Sequence, residues 1–185
     1  MHMPEEKAKK KRISRKQLLI LDAVLFLVLL FMDQITKYAM GSLLKEKGSI
    51  VLIDGVLQLT YLQNTGGILG VLQNQIPFII FLAGILLLVV VYFLLKLPDR
   101  EKFGILHPVL TGVVAGALGN MVDRIRLGYV VDFIYFVGID FPIFNGADIL
   151  ISVCTLLLIG LFLFYFKEKD LDFLTFKQKR YRELK

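Results

Sequence analysis

The sequence predicts an α-helical integral membrane protein: four transmembrane helices with a small amphipathic β-sheet and ordered loops on the extracytoplasmic face. Three observations predict this fold. The 185 residues are 56% hydrophobic, with a mean hydropathy of +0.68. The apolar residues are concentrated in four long runs, and most basic residues lie on one side of those runs. A chain this short cannot bury four such runs in a soluble core, so we expect one membrane domain, residues 1–185.

Each apolar run is long enough for one transmembrane helix, which needs roughly 20 residues. The spans are expected at about residues 18–37, 76–95, 105–122 and 149–166. The third run is the least apolar because Gly112, Gly116 and Gly119 interrupt it. Small residues at such spacing usually let neighbouring helices approach closely, and we expect that role here.

Basic residues predict the orientation of the spans. Residues 1–17 and 167–185 hold seven Lys or Arg each, and the loop 96–104 holds three, out of 22 in the chain. An excess of Lys and Arg marks cytoplasmic segments, so both termini are expected in the cytoplasm and loops 41–75 and 123–148 outside. Because these basic runs flank spans, we expect them to contact anionic lipid headgroups and not nucleic acid.

Cysteine and histidine are too scarce for several kinds of site. The single cysteine, Cys154, lies in an apolar run and excludes an internal disulfide or a multi-cysteine metal centre. The two histidines, His2 and His107, leave little for histidine-based zinc or nucleophilic chemistry. We therefore expect no metal and no other cofactor.

Both outer loops predict short β-strands. In residues 49–64, Asp54-Gly55 is a favourable hairpin turn between two β-favouring segments. Alternate residues after this turn share one face, which we expect to turn toward lipid: Leu57, Leu59 and Tyr61. In the second loop, residues 128–137 are rich in β-branched and aromatic residues. Phe141-Pro142 ends that segment, and Asn145 stands where the cap of the fourth helix belongs.

The notable polar residues near the spans are expected at their outer ends. Ionisable groups at a bilayer boundary are costly, so a functional role is the default interpretation. Two structural alternatives stay open. Asp33 with Lys37, and Asp123 with Arg124, could be charge pairs that orient helix ends, and amides could satisfy loop backbone groups. The whole set is Asp33, Lys37, Asn64, Asn120, Asp123, Arg124 and Asn145.

Asp132 and Asp148 form the strongest candidate pair. Asp132 lies in Val-Val-Asp-Phe-Ile with no neighbouring cation, so burial would raise its pKa. Asp148 begins a helix, whose N-terminus favours an anion. Two carboxyls in unlike environments can share one proton, one activating water while the other donates. Asp140, beside Phe141-Pro142, is instead expected to be a solvated turn residue.

Other chemistries and classes have weaker support. Ser42 with Lys37 or Lys45 has no context that would make a serine–lysine dyad, and nearby Arg124 disfavours a divalent cation. A small transporter would place its charges near the midplane of the bilayer. A non-catalytic protein that binds lipidated signal peptides stays open, weakened only by the presence of both aspartates.

Four stretches carry a resemblance to a known family: D-Q-I-T-K (33–37), Q-N-T-G-G-I-L-G (63–70), G-A-L-G-N-M-V-D-R-I-R-L-G-Y-V-V-D-F-I (116–134) and F-P-I-F-N-G-A-D (141–148). Together they resemble the bacterial lipoprotein signal peptidases, or type II signal peptidases. The resemblance implies a metal-independent aspartyl endopeptidase of the bacterial inner membrane, with Asp132 and Asp148 as its catalytic residues. The remaining polar residues of the set match the family's supporting positions.

The resemblance also implies the substrate and the inhibitor. The substrate is a prolipoprotein whose cysteine carries a diacylglyceryl group, and the peptide bond on the amino side of that cysteine is cut. Globomycin-type cyclic peptides are expected to inhibit, and nothing in the sequence demands more than a monomer. Two positions depart from the family pattern: N-T-G-G-I-L-G replaces the usual N-x-G-A-A-F-G, and Ile149 stands where serine is common.

Overall fold

The computed structural model describes residues 13–67 and 72–171, and this part of the chain contains the four expected membrane helices. Each is long and apolar enough to cross a bilayer. The basic segments 1–12 and 172–185 and the glycine-rich residues 68–71 lie outside the described residues. The helices are α1 (Arg15–Lys47), α2 (Ile76–Lys96), α3 (Leu106–Leu127) and α4 (Gly146–Gly160), the last continued by a π-helical segment, Leu161–Tyr165.

Helix α1 runs ten residues beyond its predicted end. Ser14 caps it through a reciprocal capping box with Gln17, and it ends at Gly48, whose φ of 75° only glycine adopts readily. The sequence suggested an end at Lys37 because a charged residue normally meets water. In the structure Lys37 is buried by other parts of the protein, so the helix continues past it.

Helix α3 is the centre of the bundle. In its apolar stretch 61% of the residues are buried, against 11% or less in α1, α2 and α4. The other three helices each pack against α3 and have many exposed apolar side chains. Side chains on α3 can therefore contact several other elements at once.

The glycines of α3 allow this close packing, as predicted. A Cβ atom added at Gly116 would lie 2.9 Å from the backbone oxygen of Ala147 and 2.8 Å from Cγ1 of Ile151, both on α4. At Gly119 an added Cβ would lie 2.2 Å from Oδ2 of Asp33 on α1. Helices α1 and α4 can approach α3 this closely only because glycine has no side chain at these two positions.

Replacing Gly116 by alanine is expected to destabilise the folded protein by about 1–3 kcal/mol, because the new methyl group meets the backbone of α4. Gly84→Ala on α2 is the matched control, since no described atom lies within 4 Å of its added Cβ. Thermal unfolding in detergent should show a lower Tm for Gly116→Ala alone. Equal melting temperatures for the two variants would contradict the close α3–α4 contact.

The loop after α1 and the loop between α3 and α4 join in one antiparallel sheet. Strand β1 (Ile50–Ile53) and strand β2 (Leu57–Asn64) form the predicted hairpin, whose turn contains Gly55 with a φ of 66°. Strand β3 (Val130–Phe136) pairs with the other side of β2, with Leu62 opposite Asp132. The end of the helix bundle that carries this sheet is called the sheet end below.

The face of β2 that carries Leu59 and Tyr61 does not point where the sequence predicts. Leu59 and Tyr61 do not turn toward lipid but pack around Leu44, Val131 and Phe133, because the extended α1 reaches the sheet and covers this face. The exposed apolar residues of the sheet are instead concentrated in β1 and the turn that follows it: Val51, Leu52, Ile53 and Val56.

Candidate active site

Asp132 and Asp148 lie on the wall of one cavity at the sheet end, joined by a single bridging residue. The Asn145 amide donates to Asp132 Oδ1 at 2.6 Å, and the Asn145 backbone N–H donates to Asp148 Oδ2 at 3.0 Å. The cavity measures about 980 Å³. The structure thus brings together the two aspartates that the sequence selected, although 15 residues separate them along the chain.

The chain between β3 and α4 folds back to create this arrangement. The backbone N–H groups of Phe133 and Ile134 donate to the Phe144 oxygen, at 3.0 and 2.8 Å, which holds the loop end beside β3. Asn145 follows and caps α4 as predicted, with a capping box in which Asp148 is the reciprocal partner. Helix capping therefore places Asp148 next to the strand that carries Asp132.

Asp132 is almost completely removed from solvent, with a relative exposure of 1%. Besides Asn145, the Asn64 amide donates to its second oxygen, Oδ2, at 2.8 Å. Burial raises the pKa of Asp132 to about 6, and the nearby Asp148 charge adds to this, while the amide hydrogen bonds and Lys37 oppose it. The predicted direction of this shift is confirmed.

Asp148 is held by donors from two different elements. The Asn120 amide on α3 donates to Asp148 Oδ1 at 2.8 Å, and Oδ2 accepts from the Asn145 backbone. Both N–H groups can only donate, so each carboxyl oxygen of Asp148 accepts a hydrogen bond, as each oxygen of Asp132 also does. These contacts fix the orientation of the Asp148 carboxyl beside that of Asp132.

A buried lysine links α1 to α3 beside the aspartate pair. The Lys37 ammonium contacts Asp33 Oδ2 at 3.0 Å, Asp123 Oδ2 at 3.2 Å and Asn120 Oδ1 at 2.8 Å. The predicted Asp33–Lys37 pair is therefore present. The alternative pairing of Asp123 with Arg124 is wrong, because adjacent residues point to different sides of a helix and the Asp123 partner is Lys37.

Lys37 also fixes which way the Asn120 amide points. An ammonium group can only donate, so the Asn120 oxygen must face it. That oxygen also accepts from the Asn145 amide at 3.2 Å. The Asn120 NH₂ group consequently faces Asp148. Lys37 on α1 thereby ensures that Asn120 on α3 donates a hydrogen bond to Asp148.

Arg124 ties α3 to the loop that follows β2. Its guanidinium donates to the backbone oxygens of Gly66 at 2.8 Å and of Asn120 at 3.3 Å, and it lines the cavity. Its buried Nε has no hydrogen-bond partner among the described residues. Arg124 is thus a cation on the cavity wall that shapes the segment after Asn64.

Two polar residues of this region, Gln34 and Tyr135, were missed by the sequence interpretation. The Gln34 amide donates to Asp123 Oδ1 at 3.0 Å and Asp33 Oδ2 at 3.1 Å; its place beside Asp33 in D-Q-I-T-K was the available signal. The Tyr135 hydroxyl donates to Asp140 Oδ1 at 2.5 Å, and both residues line the cavity. Asp140 is a turn residue as expected, but it is not simply solvated.

The remaining cavity wall is mostly apolar, which suits a lipid or an apolar peptide segment. Ile149, one of the two departures from the family pattern, lies on this wall, while residues 68–70 of the other fall outside the described part. No cluster of three His, Cys, Asp or Glu side chains suited to a metal occurs among residues 13–67 and 72–171. The apolar wall is formed by α2, α4 and the loop before α4, among them Ile79, Leu86, Phe141, Pro142 and Val153.

Comparisons with known proteins agree with this architecture. The family model described as signal peptidase (SPase) II matches residues 25–164. A lipoprotein signal peptidase of Caldanaerobacter subterraneus subsp. tengcongensis is 39% identical over 142 residues, which is 76% of this chain and 94% of the relative. One from Fusobacterium nucleatum is 36% identical over 146 residues, covering 78% and 87%.

Solved structures show the same likeness. Two structures of a bacterial membrane enzyme, obtained by the in meso method, superpose with TM-scores of 0.71 and 0.69 at 33% and 32% identity. The first covers 78% of this chain and 88% of that chain, and the second 80% and 96%.

Proposed function

The chain belongs to the signal peptidase II family, and from that premise we propose that Asp132 and Asp148 are the catalytic pair with which it cleaves lipidated preproteins. It is a membrane protease that removes signal peptides from prolipoproteins. The observation that supports the proposed pair best is the Asn145 bridge, which connects both carboxyls on one cavity wall.

The proposed reaction uses one proton shared by the pair. Asp148 takes a proton from water as the water oxygen bonds to the scissile carbonyl carbon, and Asp132 donates its proton to the substrate. The carbon–nitrogen bond then breaks as the leaving nitrogen takes the proton that Asp148 gained from water, and one hydroxyl of the intermediate returns a proton to Asp132. The products are a carboxylic acid and an amine, and the pair is back in its starting state with one proton.

We propose supporting roles for the other polar residues of the site. Asn64 and Asn145 hold the Asp132 carboxyl in place, and Asn120 does the same for Asp148. Arg124 shapes the loop that borders the cavity. The Lys37 ammonium, which is paired with Asp33 and Asp123, keeps the Asn120 amide oriented.

The apolar cavity suits a substrate that stays in the membrane. We propose that it receives the diacylglyceryl chains and the end of the signal peptide, with the bond on the amino side of the lipidated cysteine at the aspartates. The basic segments at both termini support a cytoplasmic location for them, in the bacterial inner membrane, which puts the site near the outer face. The protein is proposed to act as a monomer.

Cleavage by the purified protein tests this proposal. In lipid vesicles without added metal, it should cut a diacylglyceryl-modified preprotein but not the same preprotein with the cysteine replaced by serine, which cannot be lipidated. Globomycin should block the reaction. Activity that disappears with a chelator and returns with a metal ion would count against the two-aspartate mechanism.

The pH dependence of kcat/KM tests the roles within the pair. Because burial raises the pKa of Asp132 to about 6, its carboxyl is protonated below that pH and ionised above it. If Asp132 carries the shared proton, kcat/KM should fall about tenfold per pH unit as the pH rises above 6. A profile in which kcat/KM rises through pH 6 would assign Asp132 as the base.

A further inference from the structure

A second buried polar cluster lies far from the aspartate pair, toward the end of the bundle opposite the sheet. His107 Nδ1 is 2.5 Å from Asp22 Oδ2, and the Thr111 hydroxyl donates to Asp22 Oδ1 at 3.2 Å. All three side chains are buried. The sequence alone gives no signal for this cluster, because His107 and Thr111 lie 85 and 89 residues from Asp22 along the chain.

The most deeply buried side chains of α1 are mostly polar. Between Asp22 and Asp33 its apolar side chains are either exposed, as Leu27 and Phe31 are, or half-buried, as Leu25 and Leu29 are. In lipid, helices associate through van der Waals packing and interhelical hydrogen bonds, and the hydrogen bonds require one particular alignment of donor and acceptor. The buried residues of α1, which is described along its whole length, are Asp22, Asp33, Lys37, Gly41 and Leu44.

Two polar clusters therefore hold α1 against α3 at two levels. Asp22 and Asp33 are 11 residues apart, about 16 Å along a helix with a rise of 1.5 Å per residue. On α3, His107 lies below Asn120 by a similar distance, about 20 Å. Contacts at both levels restrict the rotation and sliding of α1 more than the contacts at the sheet end alone do.

We propose that Asp22 and His107 are positioning residues for the proteolytic reaction. They fix the rotation and height of α1 so that the Lys37 ammonium stays on the Asn120 oxygen, and Asn120 in turn holds Asp148. The proposal rests on the proposed function of Asp148. A small shift of Lys37 is enough, because a displacement of about 1 Å at a reacting group can reduce a rate about 100-fold.

Rescue by exchanging the partners is the decisive experiment. Asp22→Leu and His107→Leu should each lower kcat about tenfold or more in lipid vesicles, with KM within about twofold of the parent. The exchange variant Asp22→His with His107→Asp should recover most of kcat. Spin labels at Tyr38 on α1 and Ile125 on α3, both exposed, should show a broader distance distribution in the Leu variants, measured with Cys154→Ala as background.

Asp170→Asn is the matched control. It breaks the Lys102–Asp170 pair, an ion pair outside the spans that does not include α1, and should leave kcat unchanged. Should the Leu variants not fold, Thr111→Val removes a single hydrogen bond to Asp22 and is expected to lower kcat about threefold, within the range for one weak hydrogen bond.

Each outcome separates this inference from the catalytic assignment. Folded Asp22→Leu with the kcat and label distances of the parent overturns the positioning role, as does an exchange variant that folds without recovering kcat. If the Leu variants do not fold, an unchanged kcat in Thr111→Val has the same consequence. A parent protein that does not cleave overturns the proposed function, while the label distances still test the attachment of α1.

Discussion

Replacing either Asp132 or Asp148 by asparagine is expected to lower kcat for signal-peptide removal by about 10³-fold or more while the protein remains folded. Asparagine fills the same space, but its side chain neither takes up nor releases a proton near neutral pH. Positioned acid–base groups typically contribute about 10²–10⁴-fold each to the rate. The rate is measured by gel shift of a lipidated preprotein, with folding followed by size-exclusion chromatography and melting temperature.

Asp140→Asn is the control for this experiment. Asp140 lines the same cavity. The side-chain oxygen of an asparagine can still accept the hydrogen bond from the Tyr135 hydroxyl, so the variant should keep most of its activity. Parent-level cleavage by Asp148→Asn would show that another group acts on the water. Inactivity of Asp140→Asn alone would move the catalytic assignment to the loop before α4.

The second large effect is expected at Lys37. Lys37→Met removes the ammonium that lies between Asp33 and Asp123 and leaves two buried carboxylates without their cation. Removing one partner of a buried ion pair typically costs about 3–5 kcal/mol, so we expect a much lower free energy of unfolding as well as lost activity. Lys47→Met, at an exposed position in the last turn of the same helix, should match the parent.

A double variant separates the two roles of Lys37. Lys37→Met with Asp33→Asn removes one of the stranded charges and should recover part of the lost stability. Activity should stay low, because the 3.2 Å hydrogen bond from the Asn145 amide is then the remaining contact that directs the Asn120 oxygen away from Asp148. Denaturation curves and kcat are measured on the same preparations. Full activity in this double variant would contradict the orienting role of Lys37.

The parts of this protein that were predictable depend on short stretches of sequence. The four spans follow from runs of apolar residues, and the hairpin follows from Asp54-Gly55 between β-favouring segments. The start of α4 follows from Asn145 and Asp148 at capping-box spacing. In each case the residues that decide the structure are close neighbours in the chain.

The parts that were not predictable depend on which helices meet. Contacts between α1 and α3 decide where α1 ends, which residue pairs with Asp123, and that Asp22 meets His107. Between Asp22 and His107 the sequence separation is 85 residues. Lys37 was taken as the end of the first span because its buried partner on α3, Asp123, cannot be identified from the sequence alone.

The sequence by itself determined the membrane class, the four spans and the two aspartates selected for catalysis, because apolar length and the solvation of isolated carboxyls are local properties. Only the tertiary structure decided that Asn145 bridges those aspartates, that Lys37 orients Asn120, and that α1 is held at two polar levels. The physical reason is that buried polar groups in a membrane must find partners within the protein. Which partners they find is fixed by helix packing, around glycines such as Gly116, and not by neighbouring residues.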